Sequence, residues 1–163
     1  MSVIYIETTI PSYLTSNPSG DLIQAAMQRS TSNWWEIYSQ NHSLYISELV
    51  IIEAGKGDKI LADKRLKAIE SISILKLNDD VVNLSRQYKE KLGLSAKAFA
   101  DIMHISYAVS YEVEYLLTWN CKHIANPAII ENLVRLNDII GRHTPKLITP
   151  QQFIEINQGD LYE

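Results

Sequence analysis

Cysteine is nearly missing: Cys121 is the single one in 163 residues. No disulfide can form within the chain, and the sequence suits a reducing cytoplasm. No apolar run approaches the roughly 20 residues a membrane-spanning helix needs. The amino terminus passes from Met1 and Ser2 straight into Val3-Ile4-Tyr5-Ile6, without the basic region or cleavage site of a secretory leader. Positive charge is in deficit as well. Fifteen Lys and Arg face 19 Asp and Glu, a net charge of −4. A chain of that balance is not a bulk electrostatic binder of nucleic acid, so any RNA it handles must be met by local Lys and Arg and by a bound cation. There is no GxGxxG after the first strand and no GxxxxGK[ST], which excludes the common dinucleotide and nucleotide-phosphate loops. There is also no HExxH, and one cysteine cannot build a thiolate zinc site. Repeats, low-complexity tracts and linkers are absent.

What remains has the length of one domain, residues 1–163, with ordinary apolar (46%) and charged (21%) fractions. Short β-rich runs alternate with longer helical stretches, which predicts an α/β fold with a parallel sheet of about five strands and helices on both faces. The strands are expected at Val3–Ile6, Leu44–Ile46, Ser73–Leu77, Tyr115–Thr118 and Lys146–Ile148. Pro11 reads as a first helical position. Asp21, Ser47, Asp58, Asn78 and Ser95 read as helix starts, and Gly93 and Gly141 as left-handed stops. A helix through Ile23, Met27, Trp34 and Tyr38 runs to about Gln40, one from Ala96 to about Ser110, one from about Ala128 to Gly141, and a last one starts at Thr149-Pro150.

Four polar residues interrupt apolar segments. Glu7 follows the first strand, Glu53 follows Leu49-Val50-Ile51-Ile52, Asp101 sits within Ala98-Phe99-Ala100-Asp101-Ile102-Met103, and Asn120 follows Tyr115-Leu116-Leu117-Thr118-Trp119. A helix apolar on all sides is normally buried, and a carboxylate in its middle costs several kcal/mol, on the order of a desolvated ion, unless a partner compensates. Ligands of open parallel sheets collect beyond the carboxyl ends of strands, where Glu7 and Asn120 fall. Taken singly, each has a structural explanation. Glu7 would cap the Pro11 helix, Glu53 would be solvated, Asp101 would pair with Lys97 or His104, and Asn120 would be a turn residue. Their joint arrangement carries the functional reading.

Tyr5-Ile6-Glu7-Thr8-Thr9-Ile10-Pro11-Ser12-Tyr13 resembles the opening strand and acidic turn of PIN domains, as found in VapC-like toxins. Ser47-Glu48-Leu49-Val50-Ile51-Ile52-Glu53-Ala54 resembles their second acidic segment, Ala100-Asp101-Ile102-Met103-His104-Ile105 their third, and Leu116-Leu117-Thr118-Trp119-Asn120-Cys121-Lys122-His123-Ile124-Ala125-Asn126 a fourth, typical of one PIN branch. The resemblance implies a three-layer α/β/α fold. It implies a divalent-metal-dependent endoribonuclease that cleaves single-stranded or looped RNA, as the toxin of a toxin–antitoxin pair. Glu7, Glu53 and Asp101 would ligate Mg²⁺ or Mn²⁺, with Asn120 completing the catalytic set. Thr8, Thr118 and Lys122 would contact water or RNA phosphate, with Lys56 and Lys59 also near the mouth. A small antitoxin and a homodimer are the implied partners. Two departures stand out: Glu7 where the family most often has Asp, and the neutral Asn120 where it often has a fourth acid. They favour the competing reading of a catalytically weak or inactive binding module. A phosphatase or nucleotide hydrolase on a similar sheet is a third. Trp34 and Trp35 read either as base-stacking residues or as core or dimer interface. His104 reads as a hydrogen-bonded core histidine and His123 as a support for Asn120 or the loop after it.

Overall fold

A computed structural model describes residues 1–158; the last five residues of the expected domain lie outside the described residues. Five strands, β1 (Val3–Ile6), β2 (Ser43–Ser47), β3 (Ser73–Leu75), β4 (Tyr115–Leu117) and β5 (Lys146–Ile148), form one sheet in the order β3-β2-β1-β4-β5. Every pairing is parallel; Tyr5 stands opposite both Tyr45 and Leu116. The helices are α1 (Thr9–Thr15), α2 (Leu22–Tyr38), α3 (Glu48–Ala54), α4 (Lys59–Ile69), α5 (Asp79–Lys91), α6 (Phe99–Ser110), α7 (Pro127–Ile140) and α8 (Pro150–Gln158). Parallel strands need covered faces, and the residues comply: Ile4, Tyr5, Ile6, Leu116 and Leu117 are fully buried. The chain winds from β1 outward through β2 and β3, then crosses to β4 and β5 on the other side. The order reverses between β1 and β4. Their carboxyl ends therefore open the crevice in which such sheets hold ligands.

Local capping chemistry set most helix boundaries. Side chains of Asp21, Asp58 and Asn78 accept from the backbone N–H three residues on, at 2.8–3.0 Å, and Ser47 does so more loosely at 3.4 Å. Gly141 ends α7 at φ 73°, where a side chain would cost about 1–2 kcal/mol. Three expectations shift. Ala96–Ala98 is a 3-10 turn that takes no bond from the Ser95 side chain, and α6 starts only at Phe99. Asp101 therefore lies in the first turn of α6 and not in its middle, where the helix dipole favours a carboxylate. α1 begins at Thr9, which makes Pro11 its third residue, still within the turn whose N–H groups lack helical partners. Trp34 is fully buried among Trp35, Tyr38 and Phe153; it is core and does not meet bases.

One tie joins three helices. Asp80 of α5 accepts from Ser110 at the end of α6 (2.7 Å) and from both terminal guanidinium nitrogens of Arg142, just past α7. The Arg142 and Ser110 hydrogen bonds hold its carboxyl below the usual aspartate range. Its side chain is 38% exposed, so solvent screens much of the benefit. A carboxyl lowered in the folded state stabilises above the unfolded pKa of about 3.9 and loses that contribution as pH falls through the folded value. Thermal melts should show wild type slightly above Asp80→Asn at neutral pH. The gap should close in acid below pH ~4; a gap independent of pH would remove the ion pair as its cause.

Candidate active site

Glu7 leaves β1 and is 4% exposed. Its backbone N–H continues the sheet to Leu117 O at 3.1 Å, which pins the residue at the strand's carboxyl end. Oε2 accepts three hydrogen bonds: from the Thr9 backbone N–H (3.1 Å), the Thr9 hydroxyl (2.5 Å) and the Thr118 hydroxyl beyond β4 (2.7 Å). The first of these is the helix-capping contact the sequence suggested. Oε1 has no hydrogen-bond partner among the described residues.

Glu53, near the end of α3, repeats the pattern. Its Oε1 accepts from the Thr8 hydroxyl (2.7 Å) and meets Nε2 of His104 (2.6 Å), while Oε2 has no partner among the described residues. Burial works to raise this carboxyl. The His104 hydrogen bond and charge, the Thr8 hydroxyl and Lys56 outweigh it and hold the group below the usual glutamate range. His104, one turn beyond Asp101 on α6 and 1% exposed, passes the contact inward: Nδ1 lies 2.7 Å from the Tyr5 hydroxyl, which lies 2.8 Å from the Ser47 hydroxyl. Burial, with the charges of Glu7 and Glu53, pushes the Tyr5 phenol well above its ordinary value against the Ser47 bond, so Tyr5 is a neutral hydroxyl there.

Donor atoms of Glu7, Glu53 and His104 all lie within 4.8 Å of one another. Asp101 stands outside that triad. Its Oδ1 accepts from Asn120 Nδ2 and its Oδ2 meets Nδ1 of His123, both at 2.9 Å; these, and neither Lys97 nor His104, are its hydrogen-bond partners. Asn120 turns the chain, taking the His123 N–H on its side-chain oxygen (3.0 Å), and its own N–H reaches the Thr118 hydroxyl (2.9 Å). Two carboxylate groupings thus sit side by side, linked through Thr118 and Asn120. Thr8 and Thr118, expected at water or phosphate, give their hydroxyl hydrogens to Glu53 and Glu7. Lys122, Lys56 and Lys59 are exposed.

Two members of the site escaped the residue pattern. Thr9 lies two residues past Glu7, close enough along the chain for its backbone N–H and its hydroxyl both to return to the carboxylate. His104 follows Asp101 by three, one face of a helix, and that spacing was the available signal. His123 supports the Asn120 turn as read.

The acidic pair fits a hard divalent cation on one observation. Each glutamate has one oxygen anchored by threonine hydroxyls and the other unspent, and Glu7 keeps that arrangement while nearly buried. Carboxylate oxygens are what Mg²⁺ and Mn²⁺ prefer, while both nitrogens of His104 are engaged, by Tyr5 and Glu53.

No family model matches the sequence, and no curated protein matches it. Solved structures do. VapBC2 from Rickettsia felis, bound to a DNA fragment from its promoter, superposes with a TM-score of 0.57 at 14% identity, over 90% of this chain and 98% of that one. Mycobacterium tuberculosis VapC20, a toxin that cleaves the sarcin–ricin loop, gives 0.57 at 13% identity over 73% and 91%. VapBC-1 from nontypeable Haemophilus influenzae gives 0.56 at 14% over 91% and 98%. Identities this low carry the fold alone: a VapC-like PIN fold, three layers with a central parallel sheet. No described helix is long and apolar enough to cross a membrane.

Proposed function

We propose that the chain is a divalent-metal-dependent endoribonuclease acting on single-stranded or looped RNA, the toxin half of a toxin–antitoxin pair. The observation that supports it most is the pairing of Glu7 and Glu53, each with one anchored and one unspent oxygen, at the switch point of the sheet. Glu7 and Glu53 would hold the cation, Mn²⁺ or Mg²⁺. Asp101 adds a third formal charge, joined to Glu7 through Asn120 and Thr118. When bound, the cation supplies positive charge for the scissile phosphate and lowers the pKa of a water. The chain's own part is orientation. Thr9, Thr118 and Thr8 hold the two carboxylates rigid, so that little reorganisation remains for the reaction itself. Asp101 and His123 hold Asn120 at the rim, where Lys122 is exposed to meet an RNA phosphate. The reported promoter-bound VapBC2 assembly supports a small antitoxin partner here, and a homodimer completes the proposal.

Purified protein should cut a single-stranded RNA in Mn²⁺ or Mg²⁺ and stop when EDTA is added. Absence of cleavage across metals and substrates would favour the second reading, a catalytically weak or inactive PIN-fold binding module. Glu7 in place of the more usual Asp and the neutral Asn120 are the features that favour it, and the fully engaged Asp101 adds to them.

A further inference from the structure

Besides the buried Tyr5, two aromatic residues stand next to the site's threonines and Asn120 along the chain, Tyr13 and Trp119. Tyr13 lies on α1, one turn beyond Thr8 and Thr9, and Trp119 directly precedes Asn120. Their ring centroids are 6.1 Å apart at 57°, and both rings are half-buried. The Trp119 backbone N–H donates to the same Thr9 hydroxyl that binds Glu7 (2.8 Å), and its indole Nε1–H donates to the buried Thr31 hydroxyl (2.8 Å). Trp119 is thus held by hydrogen bonds at its backbone and at its indole nitrogen.

Behind Tyr13 lies a cavity of about 350 Å³ lined by Ser12, Asn17, Gln24 and Gln28 among others, all polar and uncharged. It is preformed. Gln28 accepts from the Ser19 N–H (3.0 Å) and donates to the Ser16 hydroxyl (2.7 Å) and the Asn17 carbonyl (2.9 Å), which ties the loop before α2 into one shape. Gln24 takes the Ser19 hydroxyl on its carbonyl oxygen (3.1 Å), and its amide nitrogen has no partner among the described residues. An aromatic face next to neutral amide and hydroxyl groups suits a nucleobase, which offers a π-face and an edge of donors and acceptors. A net-acidic chain needs such an uncharged grip, since phosphate attraction supplies little.

We propose that Tyr13, backed by Trp119, forms a stacking platform for one unpaired nucleobase flanking the scissile phosphate, and that Gln24 meets the edge of that base. This rests on the ribonuclease reading. An abasic scan tests it: a cleaved single-stranded RNA is remade with one abasic nucleotide at each position in turn, and KM and kcat are measured in Mn²⁺. One position next to the cut should raise KM roughly 10- to 100-fold, the span of base–aromatic stacking. Tyr13→Ala should raise KM on intact RNA by a similar factor and erase the sensitivity at that position, and Tyr13→Phe should restore it. Mn²⁺ binding should be unchanged in both variants. Cleavage that tolerates every abasic position, or a sensitive position that Tyr13→Ala leaves untouched, overturns the platform and spares the nuclease reading. No cleavage of any RNA by wild type overturns both.

Discussion

Glu53→Gln is expected to weaken Mn²⁺ binding by roughly 100-fold or more, above the effect usual for groups that only support a ligand, and to abolish RNA cleavage while the protein stays folded. The anchored oxygen explains the folding: the glutamine carbonyl can still accept from Thr8 and His104 in the place of Oε1. The amide NH₂ then occupies the place of the unspent oxygen, a donor where a cation needs an acceptor. Glu7→Gln should behave alike, its carbonyl accepting from Thr9 and Thr118. Asp101→Asn differs in kind. Both aspartate oxygens are engaged, by Asn120 and His123, and an asparagine has one acceptor, so His123 Nδ1 must take the amide hydrogen as an acceptor or lose the bond. It should cost activity with a smaller loss of Mn²⁺ affinity than either glutamine variant. Calorimetric titration with Mn²⁺, alongside circular dichroism melts, separates the three. Equal Mn²⁺ heats in wild type and both glutamine variants would remove the cation from this cluster.

Tyr5→Phe is expected to destabilise the fold by about 1–3 kcal/mol, the cost of leaving a buried polar group without its partner. The ring itself is conserved and keeps its contacts with His104 (5.8 Å) and Tyr107 (6.4 Å), so no cavity contributes. What is lost is the middle of a buried run from Ser47 through Tyr5 and His104 to Glu53. His104 Nδ1 and the Ser47 hydroxyl then share no hydroxyl between them, in a place water scarcely reaches. Urea unfolding, read as a shift in midpoint at constant slope, measures this directly. A shift under about 0.5 kcal/mol, the size of an ordinary surface substitution, would show that the Tyr5 hydroxyl adds nothing to stability and that Glu53 and packing suffice to hold His104.

Much of the architecture was written locally. Val3-Ile4-Tyr5-Ile6 is a buried parallel strand because it is continuously apolar. Asp21, Asp58 and Asn78 start helices because a short acceptor side chain reaches the N–H three residues on, and Gly141 ends one because it tolerates positive φ. Errors came where a neighbour decides. β3 stops at Leu75 and not Leu77 because its partner ends at Ser47, opposite Leu75, and a strand lasts only while something pairs with it. The helix through Asp101 starts late because a 3-10 turn replaces the expected Ser95 cap.

The site divides along the same line. Glu7, Glu53, Asp101 and Asn120 were visible in the sequence, since polar groups inside apolar runs are costly and need a reason. Which of them share a pocket was not visible. Hydrogen-bond partners such as Thr118 for Glu7, His104 for Glu53 and His123 for Asp101 lie 111, 51 and 22 residues away along the chain. The sequence alone determined that polar groups would interrupt apolar segments, with Glu7 buried at a strand end. Only the winding of the sheet, by laying β4 beside β1, decided that Glu7 and Glu53 meet at His104 while Asp101 turns to the Asn120–His123 loop, because hydrogen-bond geometry is set by atoms in space and not by order along the chain.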